Sequence, residues 1–262
     1  MSQSVKLPAI VLAVFGASSA AAREVYSSVE ARVRAAYPGH EVACAYLSRR
    51  IVSEQRELGV VLPTLPETLI SLKEAGHSRV VVQPLLVVPG EEFAAVKAVE
   101  CPEMILEIGD PLLSSQNDID AALAAIAPQV RKHVPHVLIC HGNRKHPEYN
   151  EPLMRLKTEA EKVFDNLIVA SVEGQPGTGP LERAKEMTKL HDAVVFIPFM
   201  MVAGTHVIGD VMGDQSQSWR NIVGAAKTTC LDPLGKNTAI IDIYLNHLEA
   251  AMQKLREEHR YD

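Results

Sequence analysis

Two stretches, VVVQPLLVVPGEE (Val80–Glu92) and VVFIPFMMVAGTH (Val194–His206), align without a gap. Pro84 falls over Pro198, Gly90 over Gly204, and Glu92 over His206. A second pair precedes them in the same order. VLAVFGASS (Val11–Ser19) sets against VLICHGNRK (Val137–Lys145), each an apolar run followed by one large residue and a glycine, so that Phe15 falls over His141. Two such matches in the same order over most of the chain point to an internal duplication. The expected boundary lies near Gln129–His136, dividing the chain into lobes 1–130 and 131–262 with an active-site cleft between them.

The runs AIVLAVFG, EVACAYL, RVVVQPLLVV, HVLICHG, NLIVASVEG and AVVFIPFMMVAG alternate with amphipathic segments such as AAREVYSSVEARVRAAY and EPLMRLKTEAEKVF. Short Val/Ile/Leu runs alternating with helical patterns indicate βαβ units and a mainly parallel sheet. The fold class read from this pattern is α/β.

Composition narrows the function. The chain has 262 residues, 47% of them hydrophobic, enough for one large α/β domain or two smaller lobes. A net charge of −6 supplies no general field for a phosphate backbone, so nucleic acid is a poor expectation. Cys44, Cys101, Cys140 and Cys230 form no CxxC and fall in or beside apolar runs, which fits small buried thiols in a reducing cytoplasm. The N-terminal MSQSVKLPAIVLAVFGASSAAA has a superficial likeness to a signal peptide, but AIVLAVFGASS reads better as a buried strand entering a glycine turn. No other apolar segment approaches the length needed to span a bilayer. Neither a GxGxxG, a GxxxxGK[ST] nor a GxSxG occurs, so nucleotide use and a serine-hydrolase elbow are unsupported.

Ligands of open α/β sheets bind at the carboxyl ends of the strands. Glu92, His141, Glu173 and His206 are all expected at or just after such ends. Two imidazoles and a carboxylate make a reasonable shell for a divalent first-row metal. His40, His77, His133, His136, His191, His247 and His259 have polar neighbours and are expected to be solvated; His146 is close enough to His141 to assist. Arg144 and Lys145, with Arg49 and Arg50 from the first half, could pair with ligand carboxylates. Ser18 and Ser19 suit a helix N-cap that also accepts an anion. Asp210 and Asp214 read as loop acids that could handle an incoming metal, Trp219 as a core or lip residue, and Met200 and Met201 as packing.

The set VLAVFGASS, VVQPLLVVPGEEF, CHGNRKHP, SVEGQPG and PFMMVAGTHVIGDVMGDQSQSW resembles the anaerobic cobaltochelatases of the CbiK type, themselves similar to the class II chelatases. The resemblance runs through nearly the whole chain and is most specific in VAGTHVIGDVMGDQSQSW. It implies two flavodoxin-like lobes around a tetrapyrrole. His141 and His206 would bind Co²⁺ and help remove pyrrole protons, and Glu92 and Glu173 both match glutamates in the family pattern, with ligand and base unassigned between them. It further implies ATP-independent insertion of Co²⁺ into sirohydrochlorin in anaerobic cobalamin biosynthesis, with no organic cofactor and no membrane partner. The loop GNRKHPEY departs from the family pattern by being more basic. The alternatives are Fe²⁺ insertion towards sirohaem, or a metal or tetrapyrrole carrier without turnover. Oligomeric state is left open, a homo-oligomer included.

Overall fold

The computed structural model describes residues 6–204 and 207–258. The chain divides into two compact units, Met1–Leu112 with Asp242–Asp262, and Leu113–Ile241.

The first unit is built on four parallel strands, β1 (Ala9–Val14), β2 (Val42–Tyr46), β3 (Arg79–Pro84) and β4 (Ile105–Ile108), in the order β2-β1-β3-β4. All of β1 is buried, as is β3 after its first residue. That is why both read as unbroken apolar runs rather than as alternating ones: a parallel strand covered on both faces has no wet side. The N-terminal apolar run is therefore the inner strand β1, hydrogen-bonded to β2 and β3. Helix α1 (Ala20–Ala36) buries Ala22, Val25, Tyr26, Val29 and Val33, a stripe at helical spacing, and Ser19 caps it by accepting from the Ala22 N–H at 3.2 Å. Helix α2 (Arg49–Glu57) follows β2, and α3 (Leu65–Glu74) opens on a capping box between Thr64 and Glu67. Helix α4 (Glu91–Lys97) follows β3.

The second unit repeats the plan with β5 (His136–Cys140), β6 (Leu167–Ser171), β7 (Ala193–Pro198) and β8 (Lys227–Cys230), ordered β6-β5-β7-β8. Helix α5 (Gln116–Ile126) precedes these strands, α6 (Glu151–Val163) joins β5 to β6, and α7 (Leu181–His191) joins β6 to β7. The aligned residues occupy equal places. Pro84 and Pro198 end β3 and β7, and Phe15 and His141 follow the last residues of β1 and β5. Gly16 and Gly142 come next, both with positive φ. The two sheets thus share one strand order, as a duplication requires.

The unit boundary differs from the one read in the sequence. Helix α5 is tied into the second unit by the Arg155 to Gln116 hydrogen bond at 3.1 Å and by Asn237 donating to the Ala125 carbonyl at 3.0 Å. Helix α9 (Thr238–Glu258) instead joins the first unit from Asp242 onward. Its Tyr244 hydroxyl donates to the Leu86 carbonyl at 2.9 Å, and its Asp242 pairs with Arg32 at 2.5 Å. The sequence division assumed one contiguous segment per unit, whereas the helix after each fourth strand belongs to the other unit.

His136 is fully buried, contrary to the solvated reading. It is the first residue of β5; Nδ1 donates to the Val134 carbonyl at 2.7 Å and Nε2 accepts from the Arg131 N–H at 3.2 Å. Burial lowers its pKa, and the bond that Nε2 accepts requires the neutral ring. His77 is buried as well. Cys140 is buried, the other three thiols are partly buried, and all four are free. Burial pushes the Cys230 thiol up to about 11 and raises Cys44 and Cys140 further. Among the described residues no helix is long and apolar enough to cross a membrane.

Candidate active site

In the second unit the parallel pairing of β5 with β6 sets Cys140 beside Ser171, so the loops leaving these strands start side by side. His141 and Glu173 are carried on those loops, and the backbone joins them directly: Glu173 N–H donates to the His141 carbonyl at 2.8 Å. Two glycines allow the loops to lie this close. A Cβ on Gly142, whose φ is +73°, would sit 1.7 Å from the Glu173 carbonyl oxygen. A Cβ on Gly174, φ +64°, would sit 2.3 Å from the Asn143 carbonyl oxygen.

Asn150 completes the lock from below. It is 1% exposed; its Oδ1 accepts from the Asn143 N–H and its Nδ2 donates to the Asn143 carbonyl, each at 2.7 Å. The Asn143 side chain in turn accepts from the His146 N–H at 2.8 Å. Replacing Asn150 by alanine leaves two backbone groups of a part-buried loop unpaired, so unfolding free energy in urea is expected to fall by about 1–3 kcal/mol. A loss below ~0.5 kcal/mol would mean that other contacts hold the loop.

His141 is exposed, and its Nδ1 lies 2.7 Å from the Gly142 carbonyl oxygen. A carbonyl can only accept, so Nδ1 is the donor, and in the neutral ring Nε2 is the nitrogen suited to a metal or a pyrrole proton.

Beside Glu173 opens a polar pocket of about 270 Å³. Arg144 from the loop after β5 and Val172 and Glu173 from the loop after β6 form one side. Gly209 and Asp210, in a π-helical turn at Val207–Val211, and Gln215, Gln217, Ser218 and Trp219 form the other. The run from Asp214 is held by the Arg220–Asp214 ion pair and by Asn221 Nδ2, which donates to the Asp214 and Gln215 carbonyls at 3.1 and 2.8 Å. Trp219, the first residue of the short helix α8 (Trp219–Val223), is 3% exposed and anchors this wall in a core with Val207, Val211 and Phe196.

Other expected residues lie elsewhere. His206 falls outside the described residues, between Gly204 and Val207. Glu92 is half-buried in the first turn of α4, several residues beyond the end of β3, where a carboxylate also complements the helix N-terminus. Ser18 and Ser19 are exposed at the loop after β1; the Ser18 carbonyl accepts from Arg23 at 2.6 Å, and the Ser19 hydroxyl is engaged as the cap of α1. Arg49 is exposed at the start of α2, and Arg50 pairs with Glu54 at 3.2 Å. Lys145 is exposed. His146 stands 3.4 Å from Glu148 and packs its ring against Tyr149. Met201 is buried, and Met200, partly buried, packs against the core around Phe196, both as packing residues. Among the described residues no three of His, Cys, Asp and Glu converge as a metal cage; the expected trio includes His206.

Sequence reasoning missed Asn150 and the Gln215, Gln217 and Ser218 wall. Ser218 was legible only as part of the polar run before Trp219, and Asn150 had no local signal.

Two four-stranded parallel sheets of one order, with a histidine and a glutamate on hydrogen-bonded loops at adjacent strand ends, define a duplicated α/β protein with a candidate site at the strand ends of its second unit. The family model described as cobalt chelatase (CbiK) matches residues 8–253, and the chain belongs to that family. It is 28% identical over 243 residues to a sirohydrochlorin cobaltochelatase of Salmonella typhimurium, covering 87% of this chain and 90% of the relative. It is 26% identical over 273 residues to the sirohydrochlorin cobaltochelatase CbiKC of Nitratidesulfovibrio vulgaris, covering 94% and 91%. Among solved structures, SirB from Bacillus subtilis with Fe³⁺ matches at a TM-score of 0.64 and 12% identity, over 97% of this chain and 98% of that one, a likeness of fold.

Proposed function

We propose that the protein is a sirohydrochlorin cobaltochelatase, inserting Co²⁺ into the macrocycle without ATP in the cytoplasmic, oxygen-independent route to cobalamin. The observation that carries this reading is the lock between the His141 and Glu173 loops in a chain of the cobalt chelatase family.

Insertion requires that water be stripped from the ion, that the ion be held against one face of the macrocycle, and that two pyrrole protons be accepted. His141 Nε2 offers a lone pair for the first two tasks, and neutral imidazole suits proton transfer near neutral pH. Glu173 takes the ligand role because its turn is hydrogen-bonded to that of His141. His206 is the second imidazole of the set, and Glu92 the further proton acceptor. Sirohydrochlorin carries eight carboxylates, and Arg144 and Lys145, with Arg49, Ser18 and Ser19 from the first unit, are the proposed contacts for them.

The test is anaerobic absorption spectroscopy of the purified protein with sirohydrochlorin and Co²⁺, with the uncatalysed rate subtracted. Catalytic appearance of the cobalt–sirohydrochlorin spectrum is expected, faster than the same assay with Fe²⁺. Binding without turnover would make the protein a carrier, and a faster rate with Fe²⁺ would assign it to sirohaem.

A further inference from the structure

The pocket beside Glu173 is lined by a residue whose side chain has no hydrogen-bond partner among the described residues. Ser218 is 1% exposed, and its Oγ is buried without a hydrogen-bond partner among the described residues. It stands just before α8 yet does not cap it. A buried hydroxyl left unpaired costs roughly 1–3 kcal/mol, and native proteins rarely keep one without reason. Here the residue that carries it is part of the lining of a pocket that a ligand can enter, with the hydroxyl just beneath that lining.

The chemistry of the lining indicates what that ligand presents. Arg144 contributes a guanidinium that makes no ion pair among the described residues, and Gln215 and Gln217 contribute carboxamides. Of the two acids, Asp210 already has an interaction within the protein, and Glu173 is the residue assigned above to the incoming cation. With a divalent ion on Glu173, the remaining lining is one cation, one engaged acid and neutral groups able to donate. Such a set is completed by an acceptor-rich, singly negative group. The wall is also rigid before any ligand arrives, since Asn221 and the Ser218 N–H both bond to the Gln215 carbonyl.

We infer that this pocket is the subsite for one carboxylate arm of the macrocycle, with Ser218 Oγ and the Arg144 guanidinium donating to the same carboxylate. The inference rests on the function proposed above. The unpaired hydroxyl is then a cost carried by the free protein and relieved in the complex, and it orients the ring over His141 and Glu173 by fixing an arm next to them.

The test compares wild type, Ser218→Ala, Arg144→Gln and the double variant by thermal unfolding, by KM for sirohydrochlorin under anaerobic conditions with Co²⁺, and by titration of Co²⁺ into macrocycle-free protein. Ser218→Ala is expected to melt at or above the wild-type temperature, because the unpaired group is gone. Its KM should rise about tenfold to a hundredfold, the worth of one hydrogen bond to a charged group, with a smaller change in kcat. The double variant should show less than the product of the two single effects, since both residues serve one carboxylate. Co²⁺ binding should not change. An unchanged KM overturns the inference, as does a lowered melting temperature with KM unchanged, which would mark Ser218 as structural. Weakened Co²⁺ binding without a KM effect would make the pocket a holding site for the cation instead. If wild type shows no turnover at all, the functional reading fails first and this subsite falls with it.

Discussion

Replacing His141 by alanine will lower the rate of cobalt insertion per folded molecule by about 100-fold or more. The side chain stands on the residue after β5, and its ring is oriented by Nδ1 against the Gly142 carbonyl at 2.7 Å. Removing a positioned proton acceptor costs ~10²–10⁴-fold in rate, and this imidazole is also assigned a ligand role, so the loss should reach that range. Because His141 is exposed, its removal leaves no cavity, and the melting temperature should stay within a degree or two of wild type. Macrocycle binding, followed by the absorption change on mixing without metal, should persist. A variant turning over at the wild-type rate would remove His141 from the mechanism. One that lost macrocycle binding as well would make it a substrate anchor.

Gly142→Ala is expected to be the most destabilising single-methyl change in the second unit. The backbone there is left-handed, with φ +73°, which costs a residue with a Cβ roughly 1–2 kcal/mol. The added carbon also arrives 1.7 Å from the Glu173 carbonyl oxygen, so the loop after β6 must move, at a further cost of about 1–3 kcal/mol. A total near ~3 kcal/mol, read by urea unfolding, is the expected result, with insertion activity of the surviving folded fraction also reduced because the displaced turn carries Glu173. Gly76→Ala separates the two contributions. Gly76 has φ +86° and nothing within 4 Å of its Cβ position, so that variant should lose only the backbone part, about 1 kcal/mol. Equal losses at the two positions would mean that the close approach of the loops does not matter.

Much of the architecture was legible because parallel strands covered on both faces need unbroken apolar residues, and β1, β3, β5, β6 and β7 all carry them. The two strands that escaped notice, β4 and β8, have four residues each, lie at the sheet edges and are partly wet, so neither apolar length nor alternation marks them. Helices α1 and α6 matched their amphipathic segments because a stripe at helical spacing is a local property of the chain. The destination of α5 and α9 was not local, and the sequence division placed both with the wrong neighbours.

The candidate site shows the same separation. By itself the sequence determined the class of the fold, its duplication, and the strand-end positions of His141 and Glu173, since each of these follows from runs and turns of a few residues. Only the tertiary structure decided that the two residues are neighbours, through the register of β5 against β6, and that Asn150 holds their loops together. It alone revealed the buried hydroxyl of Ser218, unpartnered among the described residues. Burial and hydrogen-bond partnership are set by what the rest of the chain brings to a residue, and a string of letters does not carry that.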